Sequence, residues 1–213
     1  MRFVACSGFP IPVSRYFREF PAVEISDSEL ALPGEGTVRR WKREAPKGYG
    51  FSLIAPKSLA ESGWKKSPES KELCAALALL GTELEAKAIV FSAPEDLKFG
   101  KATKETLKAF VKSLPAKFPA IVFDLPAWKT DQIAGIDDRV VPAYDPLRDE
   151  PASRADLTYI RLPGPAGHRS RYDEASIDRI LEHLATVDTA NAFCVFRNID
   201  MHANASSVLK KWK

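Results

Sequence analysis

Apolar residues in this chain come in short, nearly unbroken runs separated by polar turns, at positions 3–6, 22–25, 51–54, 88–91, 120–123, 140–143, 158–162 and 192–196. Runs of this length, rich in β-branched and aromatic residues, predict strands. Their hydrophobicity is close to continuous instead of alternating with polar residues, which predicts strands buried on both faces and therefore a parallel sheet. Parallel strands need crossovers, and most intervals between the runs carry helical periodicity.

Ser67 followed by Pro68 predicts a capped helix start, with Leu73, Leu77, Leu80 and Leu84 on one apolar stripe. Thr103 is expected to open a second helix, with Leu107, Phe110, Val111 and Leu114 facing inward, and Asp173 a third, with Ile177, Ile180, Leu181, Leu184 and Val187. Thr37 is expected to start a shorter helix presenting Val38 and Trp41, while Ala205, Val208, Leu209 and Trp212 form the buried face of the last one. Around residues 127–135 and 147–155 the helical signal fades, and Pro126, Pro142, Pro146 and Pro151 interrupt it. One or two crossover helices are therefore expected to be short or missing. No repeat, low-complexity tract or linker divides the chain, so residues 1–213 are read as one domain, of a length that suits a single α/β barrel.

Composition narrows the class further. With 45% hydrophobic and 28% charged residues the chain is ordinary for a globular protein. Lys and Arg total 31 against 28 Asp and Glu, and the resulting pI of 8.7 lies below the value of about 9 or more typical of a dedicated nucleic-acid module. The basic stretches Arg39-Arg40, Lys42-Arg43 and Lys210-Lys211 with Lys213 read as solvated helix faces, so nucleic acid is not the expected partner. No stretch approaches the roughly 20 apolar residues of a membrane helix, and the amino-terminal apolar run is too short for a signal peptide. No membrane association and a cytoplasmic location are the expectation. Cys6, Cys74 and Cys194 lack C-x-x-C spacing and read as reduced thiols, Cys74 and Cys194 as small buried hydrophobes.

Several segments together resemble a known pattern, in order and over most of the chain. VACSGF, with Ser7 and Gly8, resembles an opening strand ending in Thr-Ser-Gly-Trp; VEIS (23–26) resembles Val-Glu-Ile-Asn, and TVRRW (37–41) the helix after it. FSLIAPK (51–57), FSAP (91–94), PAW (126–128), YIRLPG (159–164) and VFRN (195–198) are similar to the third, fourth, fifth, seventh and eighth strands of that pattern. The family is domain of unknown function 72, also called YecE-like. The resemblance implies an α/β fold of the (β/α)8 TIM-type barrel kind, and implies little about activity. The departures fall on polar positions: Ser26 for Asn, Ile54 for Lys, Ala93 preceded by Ser92 for Gln, Val122 to Leu125 for Glu-Phe-Arg-His, Pro163 for His, and Arg197 with Asn198 for paired Asn.

Strand parity indicates which polar side chains enter the barrel, because successive side chains alternate and the apolar partners must meet the helices. Val23 and Ile25 outward place Glu24 and Ser26 inward. The same reasoning turns Ser92, Asp124, Arg161 and Arg197 inward, toward the C-terminal mouth where barrel enzymes build their sites. Two readings follow: a structural Glu24–Arg161 ion pair, or a site for a small anionic ligand bearing phosphate or carboxylate, gripped by Arg161 and Arg197 with Glu24 and Asp124 as candidate acid and base. Ser7, Ser92 and Asn198 complete the candidate ligand shell. The loop 163–171, with Gly164, Gly167 and His168 plus Arg169 and Arg171, occupies the place after the seventh strand where barrels often hold phosphate. His168, His183 and His202 are too widely spread to assign a metal. His183 is expected on a solvated helix side, and Asp200 either caps the terminal helix or joins His202. Cys6 and Ser7 have neither a G-x-S-x-G setting nor an evident histidine, so a nucleophilic mechanism is set aside. The choice between an enzyme and a non-catalytic binding or interaction protein that kept the scaffold is left open, as are cofactor and oligomeric state.

Overall fold

The computed structural model describes residues 1–152 and 156–212, so the end of the weakly helical stretch 147–155 and Lys213 lie outside the described residues. Eight strands, β1 (Arg2–Cys6), β2 (Ala22–Ile25), β3 (Gly50–Ile54), β4 (Ala88–Ser92), β5 (Ala120–Asp124), β6 (Val140–Tyr144), β7 (Leu157–Leu162) and β8 (Asn191–Phe196), run in parallel. They stand in the order β1-β8-β7-β6-β5-β4-β3-β2. A bridge between Ser7 and Glu24, with the Gly8 N–H donating to the Glu24 carbonyl at 2.7 Å, joins the two ends of that order and nearly closes a barrel.

The pleat sorts the core into two layers. Phe3, Ala5, Val90, Val122, Val141, Tyr159, Phe193 and Val195 fill the interior, and Phe3, Phe193 and Tyr159 stack there with ring centroids 4.7 and 5.3 Å apart. Val4, Cys6, Val23, Ile25, Ile89, Phe91, Phe123, Ile160 and Phe196 point outward and pack under the helices. These are α1 (Val13–Glu19), α2 (Glu35–Glu44), α3 (Ser58–Glu61), α4 (Pro68–Glu83), α5 (Lys101–Ser113), α6 (Thr130–Ala134), α7 (Glu174–Ala185) and α8 (Met201–Lys211). Among the described residues none is long and apolar enough to cross a membrane.

Caps decide where the strongest helices begin. The Ser70 N–H donates to Ser67 Oγ at 3.1 Å and the Ser67 N–H to Ser70 Oγ at 2.9 Å, and Ser176 N–H donates to the Asp173 carboxylate at 2.8 Å. Three expectations need correction. Helices α2 and α5 start at Glu35 and Lys101, not at Thr37 and Thr103, because the residues between tolerate helix and propagation runs back to Gly34 and Gly100. Asp200 occupies the cap position of α8 without bonding a helix N–H, since its carboxylate pairs with Arg171 at 3.0 Å. Helix α1 was not anticipated, although Tyr16 and Phe17 are buried, because seven residues carry too little periodicity to stand out. The proline-interrupted stretches behave as expected. Only five-residue α6 follows β5, and no helix appears between β6 and β7 among the described residues.

Candidate functional site

The interior above the aromatic layer is polar and is organised by Glu24, which is fully buried. Its Oε1 accepts from Ser7 Oγ at 2.7 Å and Arg161 Nη2 at 3.0 Å, and its Oε2 from Tyr159 OH at 2.9 Å and Arg161 Nε at 2.9 Å. Four donors on two oxygens leave this carboxylate saturated. Burial alone pushes its pKa up, but the Arg161 charge and hydrogen bonds, the Arg197 charge and the Ser7 hydroxyl outweigh burial and hold it below the usual range. Tyr159 and Ser52, whose hydroxyls lie 2.8 Å apart, belong to the same network and were not anticipated. The available signal was parity, since Tyr159 shares its strand face with Arg161.

Arg161 is as thoroughly engaged as Glu24. Beyond the bidentate pair, its Nη1 donates to Ser92 Oγ at 2.8 Å and makes a short contact with Asp124 Oδ2. Burial pulls its pKa down, but Glu24 and Asp124 raise it further, so it is permanently charged. Arg197 is different. Its nearest carboxylate oxygens, Asp124 Oδ2 and Glu24 Oε1, lie 3.8 and 4.0 Å away, beyond hydrogen-bond reach, and its guanidinium makes no hydrogen bond among the described residues. The Arg161 charge, and then burial, pull its pKa down, only partly offset by Glu24, Asp124 and Glu29.

A cavity of about 380 Å³ opens beside this network at the C-terminal ends of the strands. Of the candidate residues, Asp124, Arg161 and Arg197 line it; Ser7, Glu24 and Ser92 stand behind them in the interior. The rest of the lining includes Tyr144 at the end of β6, Asp145, Arg148 and Asp149 after it, and Trp128, none of which was singled out from sequence. A charged D-x-x-R-D turn directly after a barrel strand was the signal that could have marked it.

Gly164, Gly167 and His168, in the loop after β7, and Asn198, just after β8, sit next to the cavity and do not line it. The Gly164 N–H donates to Tyr172 OH at 2.8 Å, that of Ala166 to Ser170 Oγ at 2.9 Å, and that of Gly167 to the Gly164 carbonyl at 3.2 Å. Those donors are thus spent within the loop. Asn198 is buried, donating to the Ser170 carbonyl at 3.2 Å, and His168 Nδ1 contacts the Arg197 carbonyl. Gly164 has φ +104°, and a Cβ there would sit 2.6 Å from Ser170 Oγ and 3.2 Å from Asn198 Cβ. Gly164→Ala should therefore destabilise the protein by about 1–3 kcal/mol in urea unfolding. At Gly167, φ +87° with nothing within 4 Å, alanine meets backbone strain alone and should cost less. Equal losses at the two positions would count against the packing argument.

The other histidines have structural partners. His183 is half-buried and shares a hydrogen bond of 2.9 Å with Tyr144 OH, which corrects its expected solvated position; burial lowers its pKa. His202 pairs with Glu19 at 3.0 Å instead of Asp200. All three cysteines are free and buried. Burial, opposed by the Tyr16 hydroxyl, pushes Cys6 up to about 12, which keeps it a thiol. Among the described residues no cluster of three or more His, Cys, Asp or Glu is placed to hold a metal ion.

Solved structures share this architecture. A DUF72 family protein from Enterococcus faecalis V583 superposes with TM-score 0.76 at 17% identity, covering 99% of this chain and 96% of its own. One from Thermotoga maritima MSB8 does so with TM-score 0.75 at 17% identity, covering 99% and 98%. An AP endonuclease, family 2, from Brucella melitensis follows at TM-score 0.61 and 10% identity, covering 100% and 99%. At these identities the likeness shows the fold, a TIM barrel. No curated protein matches the sequence. The family model described as "Protein of unknown function DUF72" matches residues 12–213, nearly the whole barrel, and the chain belongs to that family.

Proposed function

We propose that this barrel binds a small anionic ligand, phosphate- or carboxylate-bearing, in the rim cavity, with Arg197 as its principal grip. The observation that carries the reading is the contrast between two neighbouring guanidiniums. Arg161 is spent on Glu24, Ser92 and Asp124, whereas Arg197 lines the cavity without a hydrogen bond among the described residues and against the charge of Arg161. An oxyanion accepting from Arg197 gives those donors partners and relieves the repulsion. Glu24 then serves to hold Arg161 in place, and Asp124, which lines the cavity with its side chain 20% exposed, is the carboxylate of this network able to touch a ligand.

The second reading, a non-catalytic binding or interaction protein, is favoured by the saturation of Glu24, which leaves no oxygen free to move a proton. Turnover of any member of a panel of phosphorylated metabolites would exclude it. The three buried thiols fit a reducing compartment, and we place the protein in the cytoplasm.

Calorimetric titration with inorganic phosphate tests the anion site. Arg197→Ala should weaken binding by about tenfold to a hundredfold, the worth of hydrogen bonds to a charged group, while its loosely held side chain leaves Tm within about 2 °C. Unchanged phosphate affinity in Arg197→Ala would overturn the reading.

A further inference from the structure

The lining of the rim cavity carries a carboxyl that the anion site does not use. Asp145 directly follows β6, is 5% exposed, and lines the same cavity as Arg161 and Arg197. Its Oδ1 accepts from the Leu147 N–H at 3.0 Å, which pins the side chain across the turn. Its Oδ2 is enclosed and has no hydrogen-bond partner among the described residues. A buried carboxylate with one bare oxygen is costly while ionised and far less so while it carries a proton.

We propose that Asp145 is the proton-carrying residue of the rim cavity: as a neutral acid it admits the anion, and its ionisation expels it. The inference rests on the anion site proposed above and adds that the anion is taken up together with a proton. Ionised Asp145 would add a further negative charge to a lining that already holds Asp124 and Asp149, against an anion entering a cavity of about 380 Å³. Neutral Asp145 removes that opposition without moving the arginines.

The groups around Asp145 favour its protonated form. Arg148 and Asp149 approach from its own loop, Tyr172 from the segment before α7, Arg179 from α7 itself and Cys194 from β8. Burial is the largest influence and raises the carboxyl; Asp149 adds to it, while the Leu147 N–H, Arg148 and Arg179 oppose it without prevailing. Asp149 is fixed close by, its Oδ2 accepting from the Asp145 N–H at 2.8 Å. Since the folded-state pKa is raised, the stability Asp145 contributes is complete below its unfolded pKa of about 3.9 and is lost as pH rises through the folded value.

Sulfate is the suitable probe, because its charge is constant between about pH 5 and 8, so any change in affinity across that range belongs to the protein. Calorimetric titrations of wild type and Asp145→Asn across that range should show wild-type affinity falling by about tenfold or more, and a much flatter profile in the variant. At the pH where affinity falls, the heat of binding to wild type, compared between buffers of different ionisation enthalpy, should show proton uptake, a readout that needs no variant. Equal pH slopes in the two proteins, or binding without proton uptake, would overturn the gate and leave the anion site standing. Sulfate binding to neither protein at any pH would overturn the anion site and the gate with it.

Discussion

Replacing Glu24 by glutamine is expected to destabilise the barrel by about 3–5 kcal/mol, the cost of leaving a buried guanidinium without its counter-charge. The amide keeps the shape but puts an NH2 donor in place of one of the two oxygens that now accept from Arg161 Nε and Nη2, at 2.9 and 3.0 Å. Asp124 and Ser92 remain on Nη1 and soften the loss without removing it. Replacing Glu24 and Arg161 together with apolar residues of matching volume should recover much of the stability, because the expense lies in the unpaired charge. The pH dependence follows from the depressed pKa of Glu24. Its contribution is present above the unfolded value of about 4.3 and is lost as pH falls through the lower folded value, so wild type should lose its advantage over Glu24→Gln in acid. Urea unfolding at neutral and acid pH measures both effects. Near-neutral stability combined with lost phosphate binding would instead make the pair part of the ligand site, held at some expense to the fold.

Deleting residues 207–213 should lower stability by a comparable amount. Val208 is fully buried and Trp212 is 7% exposed, and each such side chain is worth about 1.5–3 kcal/mol against a total of ~5–15 kcal/mol. Helix α8 packs on β1, β8 and α7, so it covers the seam where the first and last strands meet. The Arg2 guanidinium lies 5.1 Å from the centroid of the Trp212 ring and would lose that contact too. The expected drop in Tm is on the order of 10 °C, read by circular dichroism. A cooperative transition at unchanged temperature would show that α8 is an appendage to the barrel.

Among strands, the apolar runs and the observed elements agree within one or two residues, because a strand buried on both faces leaves its full length written in hydrophobic residues. Parity is equally legible. Once Val23 and Ile25 pack outward, the pleat leaves Glu24 no choice but the interior, and the same holds for Asp124, Arg161 and Ser92. The Ser67 and Asp173 caps were readable because capping is a contact between residues three apart. Thr37 and Thr103 misled because helix ends are set by how far propagation runs, which a side chain inside the helix does not limit.

What a polar side chain does once it is in place was decided elsewhere. From sequence, Arg161 and Arg197 are equivalent: inward-pointing arginines on neighbouring strands. Only the fold makes one of them saturated and leaves the other without a hydrogen bond among the described residues, because that depends on Glu24, Ser92 and Asp124 arriving from three different strands. The loop 163–171 reads as an anion cradle until the N–H groups of Gly164, Ala166 and Gly167 are seen to be taken by Tyr172, Ser170 and Gly164. Asp145 looks like an ordinary turn carboxylate until β8, the segment before α7 and α7 itself close around it. Local periodicity and pleat, which act over a few residues, are determined by the sequence alone. Saturation, burial and proton affinity are sums over groups that are distant in the chain, and only their meeting at the barrel mouth gives those sums a value.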